Sequence, residues 1–172
     1  LNTTPTDCTY ASQITLSTDK AAYGDTVQVV LPPNTDEKYM FVGVTYTVGG
    51  VKHTMTQEDG AYSFTVTGNT TVTVEYSPIK NVQITVPDTQ SYNGYVAVED
   101  LDISEISAKA VYKNGEYRSV PIVRENISCG TETSSKINGC VTHRVPVTVT
   151  VVYGGVTGSN SYAYTYKDYD VV

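Results

Sequence analysis

Strict two-residue alternation persists through this chain and limits what it can fold into. In TVQVVL, Val27, Val29 and Leu31 fall on one side, and in TTVTVEY so do Val72, Val74 and Tyr76. VPVTVTVVY aligns Val145, Val147, Val149, Val151 and Tyr153, and SYAYTY aligns Tyr162, Tyr164 and Tyr166. Successive side chains of an extended strand point to opposite faces, so such runs predict strands with one buried and one wet face. No stretch carries apolar residues at the three- and four-residue spacing of a helix. Gly, Asn and Asp punctuate the runs. Asn114-Gly115, between KAVYK and EYRSV, predicts a hairpin with a type I′ turn, which needs positive φ at both central residues. The expectation is an all-β protein.

Composition supports it. The chain has 15 Tyr, 2 Phe and no Trp, and tyrosine with β-branched residues suits a pleated, half-buried surface. With so little Phe, some tyrosines must fill core. The strip Tyr162, Tyr164, Tyr166 has a second reading as a glycan-stacking ladder, as in carbohydrate-binding modules. Hydrophobic residues at 40% and charged residues at 17% exclude a disordered chain. No run reaches the roughly 18 apolar residues of a membrane-spanning helix. The net charge is −7, with 3 basic and 8 acidic side chains in residues 1–78 and 8 and 10 in residues 79–172. No Lys/Arg cluster appears in either part, which argues against nucleic acid or an anionic membrane as partner. The chain opens at Leu1 without a signal-peptide pattern, as a processed form or a piece of a longer protein does.

One interruption divides the pattern. FTVTGNTTVTVEY and VQITV alternate cleanly on either side of Ser77-Pro78, and proline removes a ladder donor from a central strand. The predicted organisation is an N-terminal arm over 1–12, a β module over 13–77, a linker over 78–80 and a second β module over 81–172.

Three cysteines bear on compartment. Cys129 and Cys140 bracket CGTETSSKINGC, a polar stretch that reads as a closed surface loop. A disulfide there would add up to about 3 kcal/mol and imply an oxidising, extracellular setting. Two buried thiols are the alternative. A metal pair lacks the CxxC or His-x-x-x-His spacing. Cys8 is then left over, as a free thiol or an intermolecular link.

The candidate chemistry is thin. Glu99, Asp100, Asp102 and Glu105 could share a Ca²⁺, but they lack the glycine and terminal glutamate of an EF-hand loop and read as a solvated segment. His53 and His143 lie in strand-like runs without a nucleophile motif and read as exposed or edge-strand residues. No phosphate loop or HExxH occurs. No enzyme activity, cofactor or metal is expected. Sequons at Asn2, Asn69 and Asn126 are candidate glycosylation sites.

Two resemblances complete the reading. YGDTVQVVLPPNTDEKYMFVGVTYTVGG with YSFTVTGNTTVTVEY resembles the internalin B-repeat-like small β domain of Gram-positive surface proteins; Tyr39, Phe41 and Gly43 match, and Val44 stands where tryptophan is usual. VQITVPDTQSYNGYVAVEDLDISEISAKAVYKNGEYRSVPI with VPVTVTVVYGGVTGSNSYAYTY resembles bacterial Ig-like domains of group 3. The resemblances imply two tandem small antiparallel β-sandwich modules, non-enzymatic and extracellular. They would act as spacer or adhesive segments of a bacterial surface protein, with neighbouring modules, identical subunits or surface glycans as partners. The alternative is a phage virion or filament subunit tied to the next through the N-terminal arm, by Cys8 or by strand addition. A carbohydrate-binding module is the third reading.

Overall fold

The computed structural model describes residues 1–171 and is all-β. The chain divides into two compact units, Leu1–Ile79 with Tyr112–Asn114, and Lys80–Val111 with Gly115–Val172.

In the first unit, β1 (Asn2–Thr4), β2 (Thr15–Leu16), β3 (Thr26–Val30), β4 (Tyr39–Val48), β5 (Val51–Thr54), β6 (Gln57–Glu58), β7 (Ala61–Thr65) and the start of β8 (Thr70–Thr85) form two sheets. One sheet runs β2-β3-β7-β6. In the other, β4 lies antiparallel between β5 and β8, and β1 adds to β8 in parallel with Asn2 beside Thr73 and Thr4 beside Glu75. Alternation places Val27, Val29, Val72, Val74 and Tyr76 in a shared core with Tyr39, Val44 and Phe64. Val44, at the position where the resemblance expects tryptophan, is fully buried. A register shift between Phe41 and Gly43 leaves Val42 outside, so Val44 resumes the inward phase.

Two expectations for this region fail. Residues 1–12 are no free arm, because β1 is a strand of the sheet and Cys8 and Tyr10 lie in the core. Tyr10 stacks on Tyr76 at 4.8 Å, and its hydroxyl accepts the Asp36 N–H at 2.5 Å. The strand also does not stop at Ser77-Pro78; β8 continues to Thr85. Pro78 has no N–H to give, but its carbonyl accepts the Lys113 N–H at 2.9 Å. The Ser77 hydroxyl accepts the Asn114 N–H at 2.9 Å, so the proline leaves no buried donor without a bond.

The second unit holds β9 (Gln90–Ser91), β10 (Ser107–Tyr112), β11 (Tyr117–Val120), β12 (Ile127–Cys129), β13 (Thr133–Ile137), β14 (Cys140–Tyr153) and β15 (Val156–Tyr169). β14 and β15 pair in register along their whole length, from Cys140 beside Tyr169 to Tyr153 beside Val156. β12 and β13 flank β14, and β9 flanks β15 in parallel. β10 has β11 on one side and β8 on the other. Val145, Val147, Val149 and Val151 face inward with Tyr162, Tyr164 and Tyr166, as their spacing dictates.

The hairpin at Asn114-Gly115 forms, with Val111 beside Tyr117, but only Gly115 has positive φ. The turn of type I′ backbone lies elsewhere. Ile137 pairs with Cys140, and both residues between them, Asn138 at φ 51° and Gly139 at φ 77°, are left-handed.

Candidate functional site

The strongest cluster of titratable side chains among the described residues is at one end of β14. Alternation puts His143 on the same face as Val145, and the register sets it between Ser134 on β13 and Tyr166 on β15. Its ring lies parallel to that of Tyr166, centroids 4.4 Å apart. Glu132, just ahead of β13, bridges the two: Oε1 is 2.6 Å from His143 Nδ1, and Oε2 accepts the Tyr166 hydroxyl at 2.7 Å. On the other side, Asp168 Oδ2 is 3.1 Å from His143 Nε2, within ion-pair reach but off the line a hydrogen bond needs.

The electrostatics follow from these bonds. The Tyr166 hydroxyl and the His143 ring hold the Glu132 carboxyl below its ordinary range. The same bond makes Tyr166 hard to ionise, since a phenolate would face a carboxylate, and its pKa is pushed up to about 12. The partners of His143 are two carboxylates and a phenol ring, which orient and charge-balance an imidazole without supplying a nucleophile. The arrangement is a polar plug where the valine core ends.

The remaining candidates scatter. Cys129 and Cys140 are not bonded, which overturns the expected disulfide. Cys129 sits opposite Val147, and Cys140 is seven residues away on the same strand. At about 3.3 Å per residue the gap is roughly 23 Å, far beyond the ~7 Å a disulfide spans. The segment between them is a strand and its hairpin, not a closed loop. Cys8 is 4% exposed, so the intermolecular link is overturned as well.

The tyrosine strip is core rather than a glycan surface. Tyr162, Tyr164 and Tyr166 are buried, and their hydroxyls donate to Gln90 Oε1, Val96 O and Glu132 Oε2. Of the three sequons, Asn2 and Asn69 are exposed. Asn126 is half-buried, and its Oδ1 accepts the Val123 N–H at 2.9 Å.

The histidines differ. His53 is exposed on β5 and stacked on Tyr46, whereas His143 has a side chain only 15% exposed and sits on a central strand, contrary to expectation. Glu99 and Asp100 form one 3₁₀ turn, and Asp102 accepts the Ser104 N–H, which lowers its carboxyl pKa. Arg124 organises that segment by donating to Val98 O and Leu101 O at 3.1 and 2.6 Å. Among the described residues, no three His, Cys, Asp or Glu side chains are grouped to hold a metal. No helix among them is long and apolar enough to cross a membrane.

Sequence reasoning missed the Glu132–His143–Tyr166 cluster because it took CGTETSSKINGC for a loop. Asn138-Gly139 was the available signal. A two-residue turn there folds β13 back on β14 and carries Glu132 to His143.

Comparison with protein-family models, curated proteins and solved structures found no match.

Proposed function

We propose that this chain is a non-enzymatic structural protein of a bacterial surface, its β-units serving as spacer or interaction modules. The resemblances to an internalin B-repeat-like domain and a group-3 bacterial Ig-like domain supply the class and the extracellular setting. Location now rests on them alone, since the disulfide that pointed to an oxidising compartment is absent.

One observation carries the structural role. The side chains best equipped for chemistry are bonded into the scaffold. The hydroxyls of Tyr112 and Tyr164 donate to the backbone carbonyls of Glu37 and Val96, and Glu132 joins His143 to Tyr166. Groups fixed this way hold loops and strand ends rather than waiting for a substrate.

The competing readings lose their supports. A subunit linked through its N-terminal arm needs a free strand or an exposed thiol, yet Asn2–Thr4 pairs with β8 and Cys8 is buried. The glycan-binding reading needs exposed rings at Tyr162, Tyr164 and Tyr166, and all three are buried.

Antibody raised against the purified chain and applied to intact cells of the source organism tests the proposal. Labelling of unbroken cells is expected. Labelling only after lysis would overturn it.

A further inference from the structure

The first unit has one seam where its two sheets do not close. β8 is paired with β4 from Thr70 onward, but on its other edge β1 begins only at Thr73. Among the described residues, no strand flanks that edge at Thr70–Val72. Beside it opens a cavity of about 400 Å³, floored by Leu16, Val27, Phe64, Val66 and Val72. Asn69 and the exposed Thr18–Ala21 segment form the rim. The site thus combines an apolar floor between two sheets with a free strand edge.

Those two features select one kind of occupant. A strand edge presents N–H and C=O groups at strand spacing, which only another extended polypeptide matches group for group. The existing strand fixes direction and phase. β1 runs parallel to β8 with Thr3 beside Val74, both buried, and Asn2 and Thr4 outside. Continued upstream, that register sets Leu1 beside Val72, the next residue beside Thr71, and the one after beside Thr70. Phase makes the last of these point inward, over the apolar floor.

We infer that this seam is a strand-addition groove that binds an extended peptide segment parallel to β8, with a β-branched or similar apolar side chain seated in the cavity. The bound segment comes from a partner polypeptide. This deepens the reading of the first unit as an interaction module and names its docking surface. The spacer role and surface location do not depend on it.

Two experiments test the groove. In the first, Thr-Val-Thr is placed directly ahead of Leu1 in the full chain, so that valine takes the inward position. Hydrogen exchange at the Thr70 and Thr71 amides is expected to slow about tenfold or more. A Thr-Lys-Thr extension puts a charge over the apolar floor, and no slowing is expected. In the second, a fluorescein-labelled Thr-Val-Thr-Val-Thr peptide is titrated into the unmodified chain and followed by polarisation. Saturable binding is expected, weakened about tenfold or more by Asn69→Trp, an exposed rim change that fills the mouth. Unchanged far-UV circular dichroism confirms that this variant is folded. The inference is overturned if the valine extension gives no protection, if the lysine extension protects equally, or if the peptide fails to bind. Each of these outcomes leaves the cell-labelling result standing.

Discussion

The imidazole of His143 and the phenol of Tyr166 are stacked with their planes 3° apart, and Glu132 ties the two rings together through its two oxygens. The tie makes Tyr166 a reporter of the plug. Its pKa is pushed up to about 12 chiefly by the Glu132 hydrogen bond, so Glu132→Gln should bring it back toward the ordinary value of 10. Carbon-13 NMR of ring-labelled tyrosine across pH 9 to 12.5 measures the change. A Tyr166 titration that stays near 12 in the variant would show that something other than the carboxylate holds the proton.

Alkaline stability follows from three phenols together. Tyr76 and Tyr162, raised mainly by burial, and Tyr166, raised mainly by Glu132, all ionise at about 12. The folded state therefore keeps protons that the unfolded chain loses at its ordinary value of 10. The resulting stabilisation is complete below pH 10 and is lost as pH rises toward 12. Urea midpoints measured between pH 9 and 12 should fall steadily above 10, in step with the tyrosinate absorbance. A flat profile would contradict the buried placement of these rings.

On the acid side the sign reverses. The Glu132 carboxyl is depressed, first by Tyr166 and then by His143, so its contribution is present above the ordinary value of 4.5 and lost as pH falls through the folded value. Thermal midpoints of the native chain should drop below pH 4.5 more steeply than those of Glu132→Gln. Equal slopes for the two proteins would refute this role for Glu132.

All three thiols should persist. Cys129 and Cys140 are too far apart along the strand framework to join, and burial pushes the Cys8 and Cys129 thiols up. Air-exposed protein, unfolded and titrated with a thiol reagent, should yield three equivalents, while the folded protein leaves Cys8 unreacted. A Cys129–Cys140 peptide in a non-reducing digest would contradict the strand register itself.

The fold was legible wherever alternation alone decides the outcome. Val145 to Val151 and Val72 to Tyr76 face inward because period two leaves them no other choice once one face is buried. What escaped were features that depend on pairing at a distance. Whether Pro78 ends a strand depends on whether its neighbours bond elsewhere, and Lys113 and Asn114, far along the chain, decide that. The role of Tyr166 depends on Glu132, which reaches it only because Asn138 and Gly139 adopt positive φ and fold β13 back. Cys129 and Cys140 look close in the chain, and strand pairing carries them apart.

Gly158 shows a constraint that no pattern announces. It lies buried on β15 opposite Val151, at a position where a β-carbon would strike the Val82 carbonyl and come within 2.8 Å of the Val82 side chain. Its φ is not left-handed, so the demand is for space rather than for backbone freedom. The nearest obstacle is backbone, held in β8, and it cannot swing aside as a side-chain end would. The Asn160 side chain donates to Ile84 O at 2.8 Å and fastens the same two segments two residues further along. Gly158→Ala must therefore push β15 away from Val82 or bend it, and overpacking of this kind costs about 1–3 kcal/mol. Gly94→Ala, where a β-carbon meets open space, serves as the control in the same unit. Urea denaturation of both variants should show a clear loss for Gly158→Ala and little change for Gly94→Ala, and equal midpoints would mean that β15 does not approach Val82 so closely.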